Sequence, residues 1–320
     1  MKERNIGIDI LKFFAALLIT NSHMELLYGK YSLLATGGAI GDVLFFFCSG
    51  FTLFLGRMGR FDNWYKRRIN RIYPTVFAWA ILRAFLFNHK ASMDYTIIHG
   101  GGWFVTCIMI YYVALYFVQR FMLHHLKWVF GAVGLICIIW YVMIERPADY
   151  NMYGNTYFKW CHYFLFMLLG AIMGISQKQW NFHLRTDLIK LISSAVIYYA
   201  ILFVGKKNVF ISELQIISLI PLLAIVFYFY KVCSSQTLRQ WYSHKIMRWI
   251  IRFVGGLCLE IYLVQSILFT DKMNNIFPLN IPIMFIIILA VAYLLRCCAR
   301  LFSQTFKDGE YDWKAIFKLI

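Results

Sequence analysis

The chain has 320 residues, of which 61% are hydrophobic, 19% aromatic and only 15% charged. A soluble domain of this length could not cover its surface with so few polar residues, so the composition excludes a soluble protein. The formal net charge of +17 would suit a nucleic-acid-binding protein, but Lys and Arg concentrate in alternate loops between apolar runs. The positive-inside rule predicts that pattern for a membrane protein, so the charge reports topology and we expect no nucleic acid partner.

Ten apolar runs are long enough to cross a bilayer as helices. An even number of crossings places both termini on one side, and the distribution of Lys and Arg makes that side the cytoplasm. We therefore predict an all-α polytopic membrane protein, with a ten-helix domain over residues 1–305 and a cytoplasmic tail over residues 306–320. The predicted spans are 6–27, 38–56, 73–88, 102–119, 127–144, 159–176, 188–204, 214–232, 249–270 and 281–302.

The first apolar run, from Ile6 to Leu27, carries ionisable residues in line. On one continuous helix, Lys12 and His23 lie 11 residues apart, which puts them within roughly 20° of the same face and about 16 Å apart along the axis. Charged groups in hydrocarbon cost on the order of 3 kcal/mol each, so a line of them normally faces a protein interior or a wet cavity. We interpret this helix as one wall of a polar passage.

Two plainer interpretations compete with that one. A secretory signal also starts with a positive charge and an apolar run, but polar residues interrupt this run and no small-residue cleavage site follows. A lone His23 would be interpreted as a satisfied histidine packed between helices. The aligned Lys12 favours a functional role.

The second run, Gly37 to Gly56, places Asp42 near the outer end of its helix, at about the depth predicted for His23. If the two side chains face each other, Asp42 could orient the imidazole and raise its basicity. A water-exposed aspartate near the positive end of a helix dipole explains the same residue equally well. The sequence leaves both interpretations open.

The segment after the second run is the most basic part of the chain, and it extends from Arg57 to Pro74. Arg67, Arg68 and Arg71 are spaced as on one helical face, and Pro74 predicts a turn or kink into the third span. Guanidinium groups match phosphate oxygens in a bidentate way, so the cluster could hold a phosphorylated cytosolic cofactor. Contact with lipid phosphates is the alternative.

Two further polar residues lie inside apolar runs, His162 and Glu260. Each is a candidate site residue, although hydrogen bonding between helices would also account for it. The cysteines lie in or beside the spans or in predicted cytoplasmic segments, without metal-like spacing. We therefore expect reduced thiols and no metal site.

Three segments near the N terminus, IDILKFFAALLITNSH, FFFCSGF and KRRINRIYP, resemble in order and spacing the membrane acyltransferase family 3. Lys12 stands where the family has an arginine, ten residues ahead of its histidine, here His23. The family's pair of arginines separated by two residues corresponds to Arg68 and Arg71, and its SGF motif begins at Ser49. The late segment GGLCLEIYLVQS resembles the family's ending, with Gln265 at a place often held by histidine.

The resemblance implies an acetyl-CoA-dependent O-acetyltransferase that acylates a cell-surface or lipid-linked glycan, and for this family we expect a bacterial cytoplasmic membrane. It implies acetyl-CoA on the cytoplasmic side and the saccharide acceptor outside. Membrane lipids surround such a protein, and the sequence leaves a homo-oligomer open.

The implied roles fall on two groups of residues. His23 is the general base, or the carrier of an acyl-histidine intermediate, and Asp42 orients it. The cofactor-binding residues are Lys12, Ser49, Arg67, Arg68 and Arg71. Lysine lacks the planar fork of arginine, so a bidentate role is excluded at position 12, and Gln265 cannot shuttle a proton.

Two rival functions compete with this one. A transporter or lipid-linked glycan flippase would use the polar stripe as a path without chemistry, but it favours internal repeats and discontinuous helices, which the sequence does not indicate. A glycan polymerase would need large extracytoplasmic loops, whereas the longest one predicted here, about residues 145–158, is modest. Neither rival accounts for the basic segment together with the SGF motif.

Overall fold

The helices follow the apolar runs of the sequence. The structure is a computed structural model that describes residues 5–88, 92–143, 152–154, 156–176 and 180–319, with only the backbone at Met93, and every regular element in those ranges is helical. The α-helices are α1 Ile6–Ser22, α2 Glu25–Tyr28, α3 Gly38–Phe54, α4 Phe61–Phe87, α5 Met93–Ile97, α6 Trp103–Phe121, α7 Leu126–Met143, α8 Lys159–Ile175, α9 Leu184–Gly205, α10 Val209–Glu213, α11 Leu219–Cys233, α12 Gln236–Ser243, α13 Lys245–Gly256, α14 Cys258–Leu268, α15 Asn280–Thr305 and α16 Trp313–Ile316. Short 3-10 helices cover Gly29–Leu34, Leu123–His125, Gln215–Ser218 and Asn274–Ile276.

Between five and seven of these elements meet the length and hydropathy of a membrane span. Within the described ranges, the five long apolar helices are α6, α7 with its preceding 3-10 turn, α9, α11 with its preceding 3-10 turn, and α15. Two bent pairs raise the number to seven if each is one span, and α3 and α8 are shorter apolar helices. The all-α membrane architecture is therefore confirmed, while the number of ten spans stays a prediction.

The predicted single helix from Ile6 to Leu27 is wrong at its C-terminal end. Helix α1 ends at Ser22, and the chain bends by 65° before α2 and the following 3-10 helix. Asn21 explains the stop: its Nδ2 donates to the carbonyl oxygens of Leu34 and Thr36 at 2.9 Å each, and Tyr28 donates its hydroxyl to Asn21 Oδ1 at 2.6 Å. These bonds fold the following segment back onto the last turn of α1, which a continuous helix would not allow.

The basic segment differs from its prediction in part: α4 runs through Pro74, so no turn lies there, while the alternative of a kink stays a prediction. Pro74 has no N–H and lies against the carbonyl of the preceding turn, so a helix is kept at this point only with outside support. The neighbouring turns provide it: Tyr73 donates its hydroxyl to the Ile97 carbonyl at 2.8 Å, and Phe77 contacts Phe302 with ring centroids 6.0 Å apart. The predicted loop is thus the first half of a long helix.

The chain divides into two compact units. Unit 1 contains Met1–Ala15, Ala39–Arg57 and Phe117–Arg248, and unit 2 contains Ala16–Gly38, Met58–Tyr116 and Trp249–Ile320. In unit 1, α3 and α8 cross with their backbones in contact. A Cβ built on Gly50 would lie 1.9 Å from the Met167 carbonyl oxygen, and one on Gly170 would lie 2.1 Å from that of Phe47. Glycine at these positions is what allows the two helices to approach so closely.

Unit 2 is built on α4, α14 and α15, and charge holds part of it together. Arg296 of α15 donates from Nε and Nη2 to the two carboxylate oxygens of Glu260, at 3.0 and 2.7 Å, and Nη2 also donates to the Gly256 carbonyl. That carbonyl lies at the 69° bend between α13 and α14, so Arg296 ties the break to α15. The tail is held too: Arg300 donates to the Ile316 carbonyl at 3.0 Å beside α16.

Candidate functional site

His23 lies at the break after α1, within unit 2. Its backbone N–H donates to the Thr20 carbonyl at 3.2 Å, and its side chain is exposed. Because α1 has already ended, helix geometry does not fix the imidazole on the stripe predicted from Lys12. Exposure and position at a bend leave the ring accessible to a reactant, whereas a ring packed mid-helix would not be.

The arginine cluster, defined as Arg67, Arg68 and Arg71, begins α4 in unit 2. The Arg68 guanidinium lies over the Trp64 ring, 4.6 Å from its centroid, with the Tyr112 ring at 5.9 Å. Its Nε is buried and has no hydrogen-bond partner, while the side chains of Arg67 and Arg71 are exposed. Arg68 thus stacks on aromatic rings, and its Nε–H is left to donate a hydrogen bond.

The ring under Arg68 is buried and packed against a tethered tyrosine. Trp64 is 1% exposed and packs edge-on against Tyr116, whose hydroxyl donates to the Gly59 carbonyl at 2.8 Å. Burial lowers the pKa of Arg68, and the charges of Arg71 and Arg67 lower it further. Like charges that influence one another in this way favour a bound anion.

In unit 1, Asp42 has two polar neighbours on α8. Tyr163 donates its hydroxyl to Asp42 Oδ2 at 3.5 Å, and the buried Lys159 contributes an attractive charge. These contacts give the aspartate a defined place at the start of α3. Its proposed action on His23, which belongs to unit 2, stays a prediction.

The SGF motif is explained largely by packing within unit 1. Gly50 permits the contact with Met167, and the Phe51 ring lies 5.2 Å from that of Tyr230. Ser49 is half-buried on the same helix. Gly50 and Phe51 therefore have structural roles. The cofactor role predicted for Ser49 stays a prediction.

The start of α1 also belongs to unit 1. Lys12 is half-buried there, and Asp9 is buried and accepts a hydrogen bond from the Tyr242 hydroxyl at 2.8 Å. That bond spans 233 residues of sequence and anchors α1 to α12. Asp9 thus ties the start of α1 to α12.

The candidate residues fall into two sets. Unit 2 contains His23 and the arginine cluster, and unit 1 contains Lys12, Asp42 and Ser49. In the described part of the chain, no three His, Cys, Asp or Glu side chains group as metal ligands.

Comparison with known families decides what kind of protein carries this arrangement. A family model described as an acyltransferase domain, acyltransferase family 3, matches residues 5–297. The chain belongs to this family. No curated protein and no solved structure matched the chain.

The match to the acyltransferase family spans every candidate residue and stops before α16. Family membership makes the chain an acyltransferase of the membrane, and the resemblance noted from its motifs is confirmed. It also covers Gln265, which is 3% exposed, with its Oε1 buried and without a hydrogen-bond partner.

Sequence reasoning missed the partners that hold this acyltransferase's polar residues. Arg296 pairs with Glu260, Trp64 seats Arg68, and Tyr242 anchors Asp9. Only the first left a visible signal, since an arginine and a glutamate in apolar runs 36 residues apart are expected to pair. The others involve aromatic residues in a chain that is rich in them.

Proposed function

We propose that this acyltransferase moves the acetyl group of acetyl-CoA from the cytoplasmic side to a hydroxyl of an extracytoplasmic or lipid-linked glycan. The proposal includes ten spans, both termini in the cytoplasm and a bacterial cytoplasmic membrane. The observation that carries it is the family match over residues 5–297, within which an arginine cluster starts one helix and an exposed histidine follows another.

The arginine cluster is proposed to bind the phosphates of coenzyme A. Arg68 is pre-oriented by Trp64, so little side-chain entropy is lost when its guanidinium meets a phosphate. Arg67 and Arg71 are exposed on the same helix and supply further forked donors. The cofactor also neutralises the repulsion among the three charges.

His23 is proposed to be the general base. The acceptor hydroxyl oxygen attacks the thioester carbonyl carbon while His23 takes the hydroxyl proton, a new C–O bond forms, and the C–S bond breaks. The leaving thiolate takes up the proton, which gives the acetyl ester and coenzyme A. General base catalysis of this kind contributes about 10²–10⁴-fold to the rate. An exposed ring at a bend suits this role because reactants can reach it.

The remaining candidates have supporting roles in the proposal. Lys12, half-buried on α1, supplies one compact positive charge to the pantetheine arm or to the passage. Ser49 contacts the cofactor, and Asp42 orients His23 or holds the start of α8 through Tyr163. Of these roles, only the contact between Asp42 and Tyr163 of α8 is a contact within one unit.

The test is acetyl-CoA binding by the purified protein in nanodiscs. Arg68→Ala combined with Arg71→Ala is expected to weaken binding at least tenfold, because two forked phosphate contacts are lost. Arg57→Ala combined with Arg60→Ala removes the same charge from exposed positions just before α4 and serves as the matched control. Equal effects in both double variants would mean that the cluster attracts acetyl-CoA only through its positive charge. No binding by the wild type would contradict the cofactor and favour a flippase.

A further inference from the structure

Helices α7 and α8 of unit 1 pack against each other and run in opposite directions. Their register is fixed by three pairs, each joining a residue of α7 to one of α8 or of its N-cap: Tyr141 with Phe158, Cys137 with Cys161, and Gly134 with Leu165. Positions that rise along α8 therefore match positions that fall along α7. The middle pair brings two cysteines together at this interface.

The sulfur atoms of these two cysteines are in contact. Cys137 Sγ and Cys161 Sγ lie 3.4 Å apart, and both residues are free thiols. A disulfide bond is about 2 Å long, so the sulfurs must approach by about 1.4 Å to be joined. Because the two helices are already in register here, side-chain rotation with a small helix shift can cover that distance. The thiols are therefore placed to form a disulfide.

The two thiols differ in access. Cys161 is half-buried in the first turn of α8, whereas Cys137 is fully buried on α7. An oxidant therefore reaches the Cys161 sulfur first. An accessible thiol with a second thiol in contact is the arrangement in which the first oxidation product is resolved to a disulfide. Cys137 is in the position of that resolving thiol.

A second pair of cysteines in unit 1 provides a comparison. Cys48 on α3 and Cys233 on α11 lie close enough to interact electrostatically, but both side chains are 0% exposed. Neither sulfur offers an oxidant a point of entry. Proximity alone thus does not distinguish the two pairs, and the half-buried Cys161 does.

We propose that Cys137 and Cys161 are a peroxide-oxidisable pair that closes into a disulfide and joins α7 to α8. The inference goes beyond the proposed acyl transfer and does not depend on it. It assigns a covalent modification site to two residues that have no part in that reaction. The oxidant is a hydroperoxide, of which hydrogen peroxide is the simplest.

The reaction proceeds in two steps. The Cys161 sulfur attacks one peroxide oxygen, the O–O bond breaks, and a sulfenic acid forms while the released hydroxide takes up the thiol proton as water. The Cys137 sulfur then attacks the Cys161 sulfur, an S–S bond forms, and the S–O bond breaks. The second hydroxide leaves with the Cys137 proton as water. Two thiols are oxidised and one peroxide is reduced.

The bond would fix the turn of α8 that faces Asp42. Lys159 and Tyr163, the polar neighbours of that aspartate, lie two residues before and two residues after Cys161. A disulfide to α7 therefore holds this turn from its other side. The link also closes a loop between residues 24 positions apart, which restricts the unfolded chain.

The experiment treats the purified full chain in nanodiscs with hydrogen peroxide and then unfolds it in sodium dodecyl sulfate with N-ethylmaleimide to block free thiols. Digestion and mass spectrometry follow. We expect two of the eight thiols to escape alkylation, a linked peptide that joins Cys137 to Cys161, and recovery of both thiols with dithiothreitol. Eight alkylated thiols after peroxide would overturn the proposal.

Three variants sharpen the result. Cys161→Ser is expected to lose no thiol at the peroxide concentration that closes the wild-type pair, because Cys137 is buried. Cys137→Ser is expected to oxidise at Cys161 to a sulfinic acid, which dithiothreitol does not reverse. Cys233→Ser, in the fully buried pair, is the matched control and is expected to form the Cys137–Cys161 bond normally.

Two further outcomes would contradict the pair, and both are read from the wild type, so they stand even if a variant fails to fold. Oxidation of Cys161 with Cys137 still alkylated would show that the buried thiol does not resolve it. A linked peptide that joins Cys48 to Cys233 instead would show that access at Cys161 does not decide which pair closes.

Discussion

The break after α1 and the first turn of α8 each present a histidine, in opposite surroundings. His23 is exposed, follows a helix that has ended, and belongs to unit 2. His162 is fully buried, is tethered through Nε2 and belongs to unit 1. The first is open to its surroundings, as the proposed general base must be, and the second is packed out of reach and ties α8 to the Met152 carbonyl. The same residue type in an apolar stretch thus supports two different tasks.

The scaffolds of the two regions differ as well. The α8 region depends on two helix backbones in contact at glycine, where no side chain can be added. Unit 2 depends on arginine side chains that reach across helices, from Arg296 to Glu260 and from Arg68 to Tyr112. A glycine in backbone contact leaves no room for a larger side chain. Loss of a charged contact lowers the stability without forcing the helices apart. The predictions below use that difference.

The largest effect is expected where the α8 region is held by backbone contact. Gly170→Ala places a methyl group 2.1 Å from the Phe47 carbonyl oxygen, so α3 and α8 must separate and little folded protein is expected. The same substitution at Gly131 on α7, where nothing lies within 4 Å, stabilises a helix by about 1 kcal/mol and is the matched control. Size-exclusion profiles in detergent measure both; two normal profiles would contradict the close approach.

The second effect concerns the buried ion pair of unit 2. The side chains of Arg296 and Glu260 are 19% and 6% exposed, so Glu260→Gln leaves a buried arginine without its counter-charge. We expect a loss of about 3–5 kcal/mol in the free energy of unfolding. Denaturation by sodium dodecyl sulfate measures it. Asp62→Asn breaks the exposed pair with Arg60, and no measurable change is expected there.

The third effect tests whether the aromatic seat of Arg68 matters beyond charge. Arg68→Lys keeps the charge but loses both the planar fork and the stacking on Trp64. The dissociation constant for acetyl-CoA is expected to rise about tenfold, measured by equilibrium dialysis in nanodiscs. An unchanged constant would mean that the site needs only positive charge.

The smallest effect concerns the turn that carries His23. Asn21→Ala removes the two exposed hydrogen bonds to the Leu34 and Thr36 carbonyls and the bond from the Tyr28 hydroxyl, so about 1–2 kcal/mol of stability is expected to be lost. Faster hydrogen exchange at the amides of residues 29–36 would report it. Unaltered exchange would show that Asn21 does not shape the break.

The sequence predicted the helices well and their ends less well. Apolar length located α6, α7, α9, α11 and α15 within a few residues. It could not show that α1 stops at Ser22, because that stop depends on Asn21 reaching carbonyls 13 and 15 residues away. Nor could it show that α4 continues through Pro74, since the supporting contacts come from other helices.

For the candidate site, the sequence correctly predicted which residues lie together on one helix. Arg67, Arg68 and Arg71 share the first half of α4, as the helical spacing indicated. Contacts that join distant segments escaped the prediction, such as Tyr163 with Asp42 across 121 residues and Tyr242 with Asp9 across 233. No local pattern marks one tyrosine among 21 as the partner of a given aspartate.

The most direct test of the acyltransferase account is turnover of radiolabelled acetyl-CoA by the purified protein in nanodiscs, compared between wild type and His23→Gln. His124→Gln, at an exposed histidine outside the candidate site, is the control. The account predicts that the His23 variant binds acetyl-CoA like the wild type and turns it over at least a hundredfold more slowly, while the control is unchanged. Wild-type turnover by the His23 variant would contradict it.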